Sequence, residues 1–162
     1  MTAQHQALPC PLCSSPAHWM LSDRKRSYWQ CERCLMVHVP AQWQLTAEQE
    51  KAEYDRHENH PDDPGYRRFL SRLAEPLLQR LPPASCGLDF GCGPGPALAL
   101  MLREHGHQVT LHDLYYHPNP AALEQQWDFI TATEVVEHLA APRAVLEQLW
   151  RCLKPGDWLG LM

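Results

Sequence analysis

Residues 88–95 read Leu-Asp-Phe-Gly-Cys-Gly-Pro-Gly, and an apolar run from Ala97 to Leu102 follows them. This order predicts a buried strand, a tight glycine turn and the start of a helix, an arrangement that seats nucleotide-like ligands in α/β proteins. Glycine suits the turn because it permits unusual backbone angles and a close approach of the ligand. The dinucleotide pattern G-x-G-x-x-G would need a third glycine at position 96, which is Pro96. We therefore expect no pyrophosphate site here.

Strand and helix patterns alternate from this stretch onward. The pattern predicts strands at 88–91, 108–112, 128–132 and 158–162, with helices at 96–105 and 142–153. Such alternation is typical of a parallel sheet with helices on both faces. Only 14 residues separate Asp113 from Asp128, and Pro118 and Pro120 lie among them, so a third strand should be rudimentary. We expect the strand order 2-1-4-5, and the sequence ends inside the fifth strand.

Two helices are predicted in the segment 43–84, ahead of the sheet. Thr46 and Gln49 form a capping box, which predicts a helix from about Ala47 to His57. Asp63 followed by Pro64 predicts the start of a second helix, whose apolar residues recur at three- and four-residue steps. Pro76 should kink or split this helix.

Four cysteines define an N-terminal module at 1–42. Cys10, Cys13, Cys31 and Cys34 follow the spacing C-x2-C-x17-C-x2-C, which is typical of two metal-binding knuckles. We expect one structural Zn²⁺ in a zinc ribbon with little core of its own, preceded by a disordered lead at 1–9. Unrelated reduced cysteines and a redox pair are the alternatives, and His18 or His38 could replace a ligand.

Composition excludes several functions. The net charge is −5, with 14 Lys+Arg against 19 Asp+Glu, so no strong field draws the chain to nucleic acid or to a membrane. Residues 1–40 are the exception, because they hold four basic and two acidic residues. The sequence shows no membrane span and no signal peptide, and seven cysteines argue against a disulfide framework. We expect a cytoplasmic protein.

Four ordered motifs resemble the class I S-adenosylmethionine-dependent methyltransferases. The glycine stretch resembles their first motif, His112-Asp113 their ribose-binding acid, 128–138 their fourth strand with its loop, and 153–161 the entry to their fifth strand. The resemblance covers about residues 50–162. It implies a Rossmann-like α/β domain at 85–162, incomplete at its C-terminus, that binds S-adenosyl-L-methionine.

The resemblance also implies a set of site residues. The implied cofactor contacts are Asp89, Gly91, Gly93, Gly95 and Asp113, with Asp113 binding the ribose and Asp89 the ammonium group. The alternatives are a loop-capping aspartate for Asp113 and a carboxylate that only braces the glycine turn for Asp89.

Further candidates follow the fourth strand. Thr133 and Glu134 leave its carboxyl end, where α/β sheets bind ligands. Glu137 and His138 come next, and His138 is the candidate base for a hydroxyl or amine acceptor. A purely structural histidine is the alternative.

Three functions remain open at the level of the sequence. The first is methyl transfer to the oxygen, carbon or nitrogen of a small-molecule acceptor. The second is an RNA methyltransferase whose ribbon, through Arg24, Lys25 and Arg26, grips a phosphate backbone. The third is a binding-only remnant that keeps the cofactor cradle. The fifth strand also leaves an unpaired sheet edge, which predicts self-association.

Overall fold

The computed structural model describes residues 6–56 and 60–162, which form two compact units. One unit comprises residues up to Glu50 together with Leu139–Val145, and the other comprises Lys51–His138 and Leu146–Met162. The division of the chain into segments 1–42, 43–84 and 85–162 stays a prediction.

The first unit contains a four-stranded antiparallel sheet in the order β1-β2-β3-β4. Its strands are β1 (Leu8–Pro9), β2 (Pro16–Ser22), β3 (Ser27–Cys31) and β4 (Val37–His38). The core is small and consists of Cys10, Ala17, Trp29 and Cys31. The disordered lead expected at 1–9 is wrong for Leu8 and Pro9, because both pair with β2; residues 1–5 lie outside the described residues.

The second unit contains a four-stranded parallel sheet, whose strands are β5 (Cys86–Phe90), β6 (Gln108–His112), β7 (Trp127–Ala132) and β8 (Leu153–Leu161). They lie in the order β6-β5-β7-β8 with every neighbouring pair parallel, which confirms the predicted order 2-1-4-5. Between β6 and β7 the structure has a 3₁₀ helix at Pro120–Glu124 and an isolated bridge, so the third strand is absent.

In the described part of the chain the α-helices are α1 (Ala47–Tyr54), α2 (Pro64–Leu78), α3 (Ala97–Glu104) and α4 (Pro142–Arg151). The capping box of α1 is present, because Thr46 and Gln49 exchange hydrogen bonds of 3.0 and 3.3 Å. The Tyr66 N–H donates to Asp63 Oδ1 at 2.6 Å and caps α2 as predicted. His57, where α1 was expected to end, lies outside the described residues.

Helix α2 continues through Pro76, so of the two outcomes expected there, a kink or a split, the split is wrong. A proline inside a helix costs about 3 kcal/mol. Leu70, Ala74 and Leu77 of α2 are buried in the main core, and each buried leucine contributes about 2 kcal/mol. The burial of this face therefore outweighs the lost hydrogen bond.

The main core lies between α2, α3 and the sheet, with Leu102 and Phe129 fully buried. Position 87 requires glycine, because a Cβ there would lie 2.2 Å from the Phe129 ring. This packing presents the carboxyl ends of β5, β6 and β7 at one edge of the sheet. No helix in the described ranges is long and apolar enough to cross a membrane.

Candidate functional site

The glycine loop after β5 has the backbone that its sequence predicts. Gly91 and Gly93 have φ angles of 68° and 63°, in the left-handed region that favours glycine. A Cβ at Gly91 would lie 2.4 Å from Val135, whereas a Cβ at Gly93 would meet nothing within 4 Å. The Gly95 carbonyl accepts a hydrogen bond of 2.7 Å from Ala97 N–H as α3 begins. The loop therefore has open space beside Gly93, where a ligand could lie against the backbone.

Asp113 holds this loop from the end of β6. Its Oδ2 accepts from Gly93 N–H at 3.0 Å, and its Oδ1 accepts from the N–H groups of Tyr115 and Tyr116 at 2.8 and 3.0 Å. The carboxylate is almost fully buried. Capping of the loop after β6, the alternative to a ribose contact, is thus one role of Asp113, and bracing of the glycine loop is another. Oδ1 has both of its lone pairs in use, whereas Oδ2 keeps one for a ligand hydroxyl.

Asp89 lies beneath the same loop and is 2% exposed. Its Oδ1 accepts a hydrogen bond of 2.7 Å from the Thr131 hydroxyl. Burial raises the pKa of Asp89 to about 6, although the Thr131 hydrogen bond and the charge of Arg103 act in the opposite direction. A buried carboxylate of this kind gains from a nearby cation, and the ammonium group of an amino-acid ligand is one.

The residues after β7 follow the carboxyl end of the central strands. Thr133 is half-buried, and Glu134 is exposed with a left-handed φ of 56°. The Glu134 N–H donates to the Met162 carbonyl at 2.8 Å, which holds the loop in this conformation. Left-handed backbone is uncommon for a residue other than glycine and concentrates at functional sites.

Glu137 and His138 belong to a 3₁₀ helix at Val136–His138. Both side chains are about half exposed, and His138 Nε2 lies 3.9 Å from Glu137 Oε1. The His138 ring packs at 75° to the Tyr54 ring, with centroids 5.5 Å apart. A base in this position is open to an incoming acceptor.

Tyrosines at the ends of α1 and β6 extend this site. The resemblance also implied that Tyr54 covers the methionine end of the cofactor, whereas Tyr115 and Tyr116 were not among the expected site residues. Tyr54 contacts Tyr115 at a centroid distance of 6.3 Å, and Tyr116 donates to Asp55 Oδ1 at 2.6 Å. The sequence feature that could have indicated Tyr115 and Tyr116 was their position just after Asp113, the acid that follows β6. No local pattern relates them to Tyr54, about 60 residues earlier.

The four cysteines of the first unit form a candidate metal centre. Their Sγ atoms all lie within 4.8 Å of one another, with Cys10–Cys34 at 3.6 Å and Cys13–Cys31 at 3.4 Å. Tetrahedral Zn²⁺ with bonds of about 2.3 Å places its sulfurs about 3.8 Å apart. The N–H groups of Leu12 and Arg33 donate to Cys10 and Cys31 at 3.4 Å, as expected for thiolate acceptors in tight turns. The donor set fits zinc.

The thiols of this cluster differ in their tendency to ionise. A backbone hydrogen bond from Ser15 is the main cause that lowers the pKa of Cys13 to about 6. A backbone hydrogen bond from Met36 acts to lower the pKa of Cys34, but burial and the neighbouring thiols together raise it to about 12. Four sulfurs this close cannot all be negative without a compensating cation, and a divalent metal supplies one.

Comparison with known proteins identifies the family. The profile of the methyltransferase domain family matches residues 56–162, well over half of the chain. The chain therefore belongs to this family of methyltransferases, and the resemblance to S-adenosylmethionine-dependent enzymes is confirmed. The parallel sheet with flanking helices that this resemblance implied is the fold described above.

Individual relatives differ in the acceptors that their names state. A ubiquinone biosynthesis O-methyltransferase of Klebsiella pneumoniae is 34% identical over 70 residues, covering 43% of this chain and 29% of the relative. A tRNA 5-carboxymethoxyuridine methyltransferase of Escherichia coli is also 34% identical, covering 46% of this chain and 38% of the relative. The chain thus spans less than half the length of these curated relatives.

Among solved structures, a methyltransferase of Geobacter sulfurreducens in complex with S-adenosyl-L-homocysteine is 19% identical. It aligns with a TM-score of 0.42 over 66% of this chain and 51% of its own.

Proposed function

We propose that this chain binds S-adenosyl-L-methionine at the glycine loop and directs its methyl group to a hydroxyl group of a small-molecule acceptor. The open space beside Gly93, next to a buried pair of acids, is the observation that carries the proposal. The cofactor supplies an electrophilic methyl group when bound, so the protein contributes mainly position and proton removal.

Each cradle residue has a specific task in this proposal. Asp113 Oδ2 accepts a hydrogen bond from a ribose hydroxyl, and the left-handed backbone of Gly91 and Gly93 keeps the loop clear of side chains. Asp89 neutralises the cofactor's ammonium group. Thr133 and Glu134 border the cradle at the end of β7, and Gly95 starts the turn into α3.

His138 is the proposed base. A hydroxyl nucleophile must lose its proton as the methyl group transfers, and a half-exposed imidazole at the carboxyl edge of the sheet can accept it. Glu137 orients the ring or stabilises its positive charge. The oxygen acceptor stated in the names of the Klebsiella pneumoniae and Pseudomonas relatives agrees with this assignment.

Calorimetry with S-adenosyl-L-homocysteine tests the cradle. Asp113→Asn should weaken binding by about 1–3 kcal/mol, because an amide is a poorer acceptor for a ribose hydroxyl. Asp62→Asn, at an exposed acid before α2, is the matched control and should bind as the parent protein does. The cradle assignment fails if Asp113→Asn binds equally well while its thermal midpoint is unchanged.

Methyl transfer to 3,4-dihydroxybenzoate tests the base. His138→Gln should lower turnover about 100-fold and leave S-adenosyl-L-homocysteine affinity unchanged. Equal turnover by parent and variant would exclude His138 as the base.

We also propose that Cys10, Cys13, Cys31 and Cys34 hold one structural Zn²⁺. Thiolate coordination requires reduced cysteines, which agrees with the cytoplasmic location expected from the sequence. The metal would stabilise the first unit and take no part in methyl transfer, because four protein ligands leave no open position.

An RNA acceptor is the second candidate, and the first unit provides the observation that favours it. Trp19 on β2 is 44% exposed, whereas Trp29, opposite it on β3, belongs to the core of this unit. Asp23 accepts from the N–H groups of Lys25 and Arg26 at 2.7 Å, so the basic tip of the hairpin has a defined shape. An exposed aromatic side chain on the same hairpin as a basic loop is a combination that binds single-stranded RNA.

Methylation of bulk tRNA and of 3,4-dihydroxybenzoate in parallel separates the two candidates. Under the first proposal the small phenol is methylated and tRNA is not. Preferential methylation of tRNA, lost in a variant with Arg24, Lys25 and Arg26 changed to serine, would favour the second.

A further inference from the structure

An aromatic cluster connects the candidate base to the opposite side of the site. Tyr54, at the C-terminal end of α1, contacts both His138 and Tyr115, with centroid distances of 5.5 and 6.3 Å. The Tyr54 and His138 rings are nearly perpendicular, at 75°, which is a favourable arrangement for two aromatic groups. The otherwise half-exposed imidazole of His138 therefore has Tyr54 as a fixed neighbour.

The far side of this cluster is built on Asp113. One carboxylate oxygen of Asp113 accepts from Tyr115 N–H and Tyr116 N–H, and the other accepts from Gly93 N–H. The two tyrosines thus extend from a turn that the buried acid holds rigid. The same acid fixes the glycine loop of the cofactor cradle.

The last turn of α1 is tied to Tyr116 by polar contacts. The Tyr116 hydroxyl donates to Asp55 Oδ1 at 2.6 Å, and Lys51 Nζ donates to both Asp55 oxygens at 2.8 and 3.0 Å. Lys51 Nζ also lies 5.2 Å from the centroid of the Tyr116 ring, within the range of a cation–π interaction. Burial and the hydrogen bond to Asp55 raise the pKa of Tyr116 to about 12, so its hydroxyl stays protonated and remains a donor.

We infer that Tyr54 is a positioning residue for His138, held in place by the contacts from Asp113 through Tyr115 and Tyr116 to the end of α1. The inference rests on the proposed function, because the orientation of the imidazole affects the reaction only if His138 is the base. One buried acid then organises both halves of the reaction, since it holds the cofactor loop on one side and the support of the base on the other. A small displacement of the base matters, because an error of about 1 Å in reactive geometry can cost 100-fold in rate.

Nuclear magnetic resonance of the full chain tests the contact directly. The ring proton on Cε1 of His138, assigned by its disappearance in His138→Gln, experiences the ring current of Tyr54. Tyr54→Leu should move this resonance, and Tyr54→Phe, which keeps the ring, should leave it in place. Tyr116→Phe should also move it, because it removes the hydroxyl that holds Asp55. Glu53→Gln, on the exposed side of the same helical turn, is the control and should have no effect.

Kinetics with 3,4-dihydroxybenzoate test the consequence for the reaction. Tyr54→Leu should lower kcat about 10- to 100-fold without changing S-adenosyl-L-homocysteine affinity, and Tyr54→Phe should restore it. An unmoved His138 resonance in Tyr54→Leu, with a thermal midpoint near that of the parent, would overturn the inference. So would a normal kcat in Tyr54→Leu when His138→Gln is impaired. If the resonance moves and His138→Gln keeps full activity, the proposed base is wrong while the contact stands.

Discussion

Gly91 and Gly93 share a left-handed backbone, yet their surroundings differ. A Cβ at Gly91 would collide with Val135 inside the protein, whereas a Cβ at Gly93 would enter open space. We expect Gly91→Ala to lower the free energy of unfolding by more than 2 kcal/mol, from strain and overpacking together. Gly93→Ala should cost only about 1 kcal/mol of backbone strain.

For ligand affinity we expect the opposite order among variants that fold, with the larger loss in Gly93→Ala. The new methyl group of Gly93→Ala would occupy the space assigned to the cofactor, so S-adenosyl-L-homocysteine should bind at least 10-fold more weakly. Urea unfolding and calorimetry on the two variants measure both effects. Normal binding by Gly93→Ala would place the cofactor elsewhere.

Asp89 predicts a specific dependence of stability on pH. Its pKa of about 6 in the folded protein lies above its value of 3.8 in the unfolded chain, so the folded state binds the extra proton between these values. The contribution of Asp89 to stability is therefore lost as the pH rises from about 4 to 6, and it stays constant above that. Asp89→Asn does not titrate, so the stability of the parent protein relative to this variant should fall over that interval. A difference that is flat between pH 4 and 6 would contradict the burial argument.

At the scale of elements, short-range patterns predicted the fold well. β6 has the bounds 108–112 that the sequence indicated, and the two prolines after Tyr116 correctly signalled a missing third strand. The continuity of α2 through Pro76 was not predictable, because it depends on how deeply the helix face is buried in the core.

The site was predictable only in part, for a related reason. The glycine loop and Asp113 lie at ends of strands, so the pattern of the strands locates them. The contact of Tyr54 with His138 joins residues 84 positions apart, and no periodicity encodes such a distance. Likewise, the sequence suggested loop capping as an alternative for Asp113, but it did not indicate that the same carboxylate would also accept from Gly93 N–H in the glycine loop.

The ribbon is an element whose stability should depend on metal. Its core contains only a few buried residues, and two of them, Cys10 and Cys31, are proposed ligands. We expect a zinc chelator or Cys31→Ser to abolish the near-ultraviolet signal of Trp29, because structural zinc contributes folding energy directly. Cys86→Ser, outside the cluster, is the matched control. Metal analysis should give one equivalent of zinc for the parent protein and for the control, and well under one for Cys31→Ser.

At the scale of the whole molecule, β8 forms one edge of the parallel sheet. Among the residues that the structure describes, it pairs with β7 alone, and Trp158 and Leu161 are each 42% exposed along it. An unpaired apolar edge favours pairing with another strand. We expect the 162-residue chain to self-associate through this edge, and Leu161→Lys to shift it toward monomer. Light scattering after size-exclusion chromatography measures this. A monodisperse monomer at all concentrations would refute the expectation.

The left-handed conformation of Glu134 implies a trade-off between the stability of the fold and ligand binding. Glycine would adopt the φ of 56° without the steric strain that costs other residues about 1 kcal/mol. Glycine also makes the unfolded chain more disordered, and this effect offsets part of the gain in stability. We propose that a carboxylate at this strained position serves the cofactor cradle and not the stability of the fold. Glu134→Gly should thus fold at least as well as the parent protein while it binds S-adenosyl-L-homocysteine more weakly. In a mutational screen that scores abundance and activity separately, position 134 should be tolerant in the first and intolerant in the second.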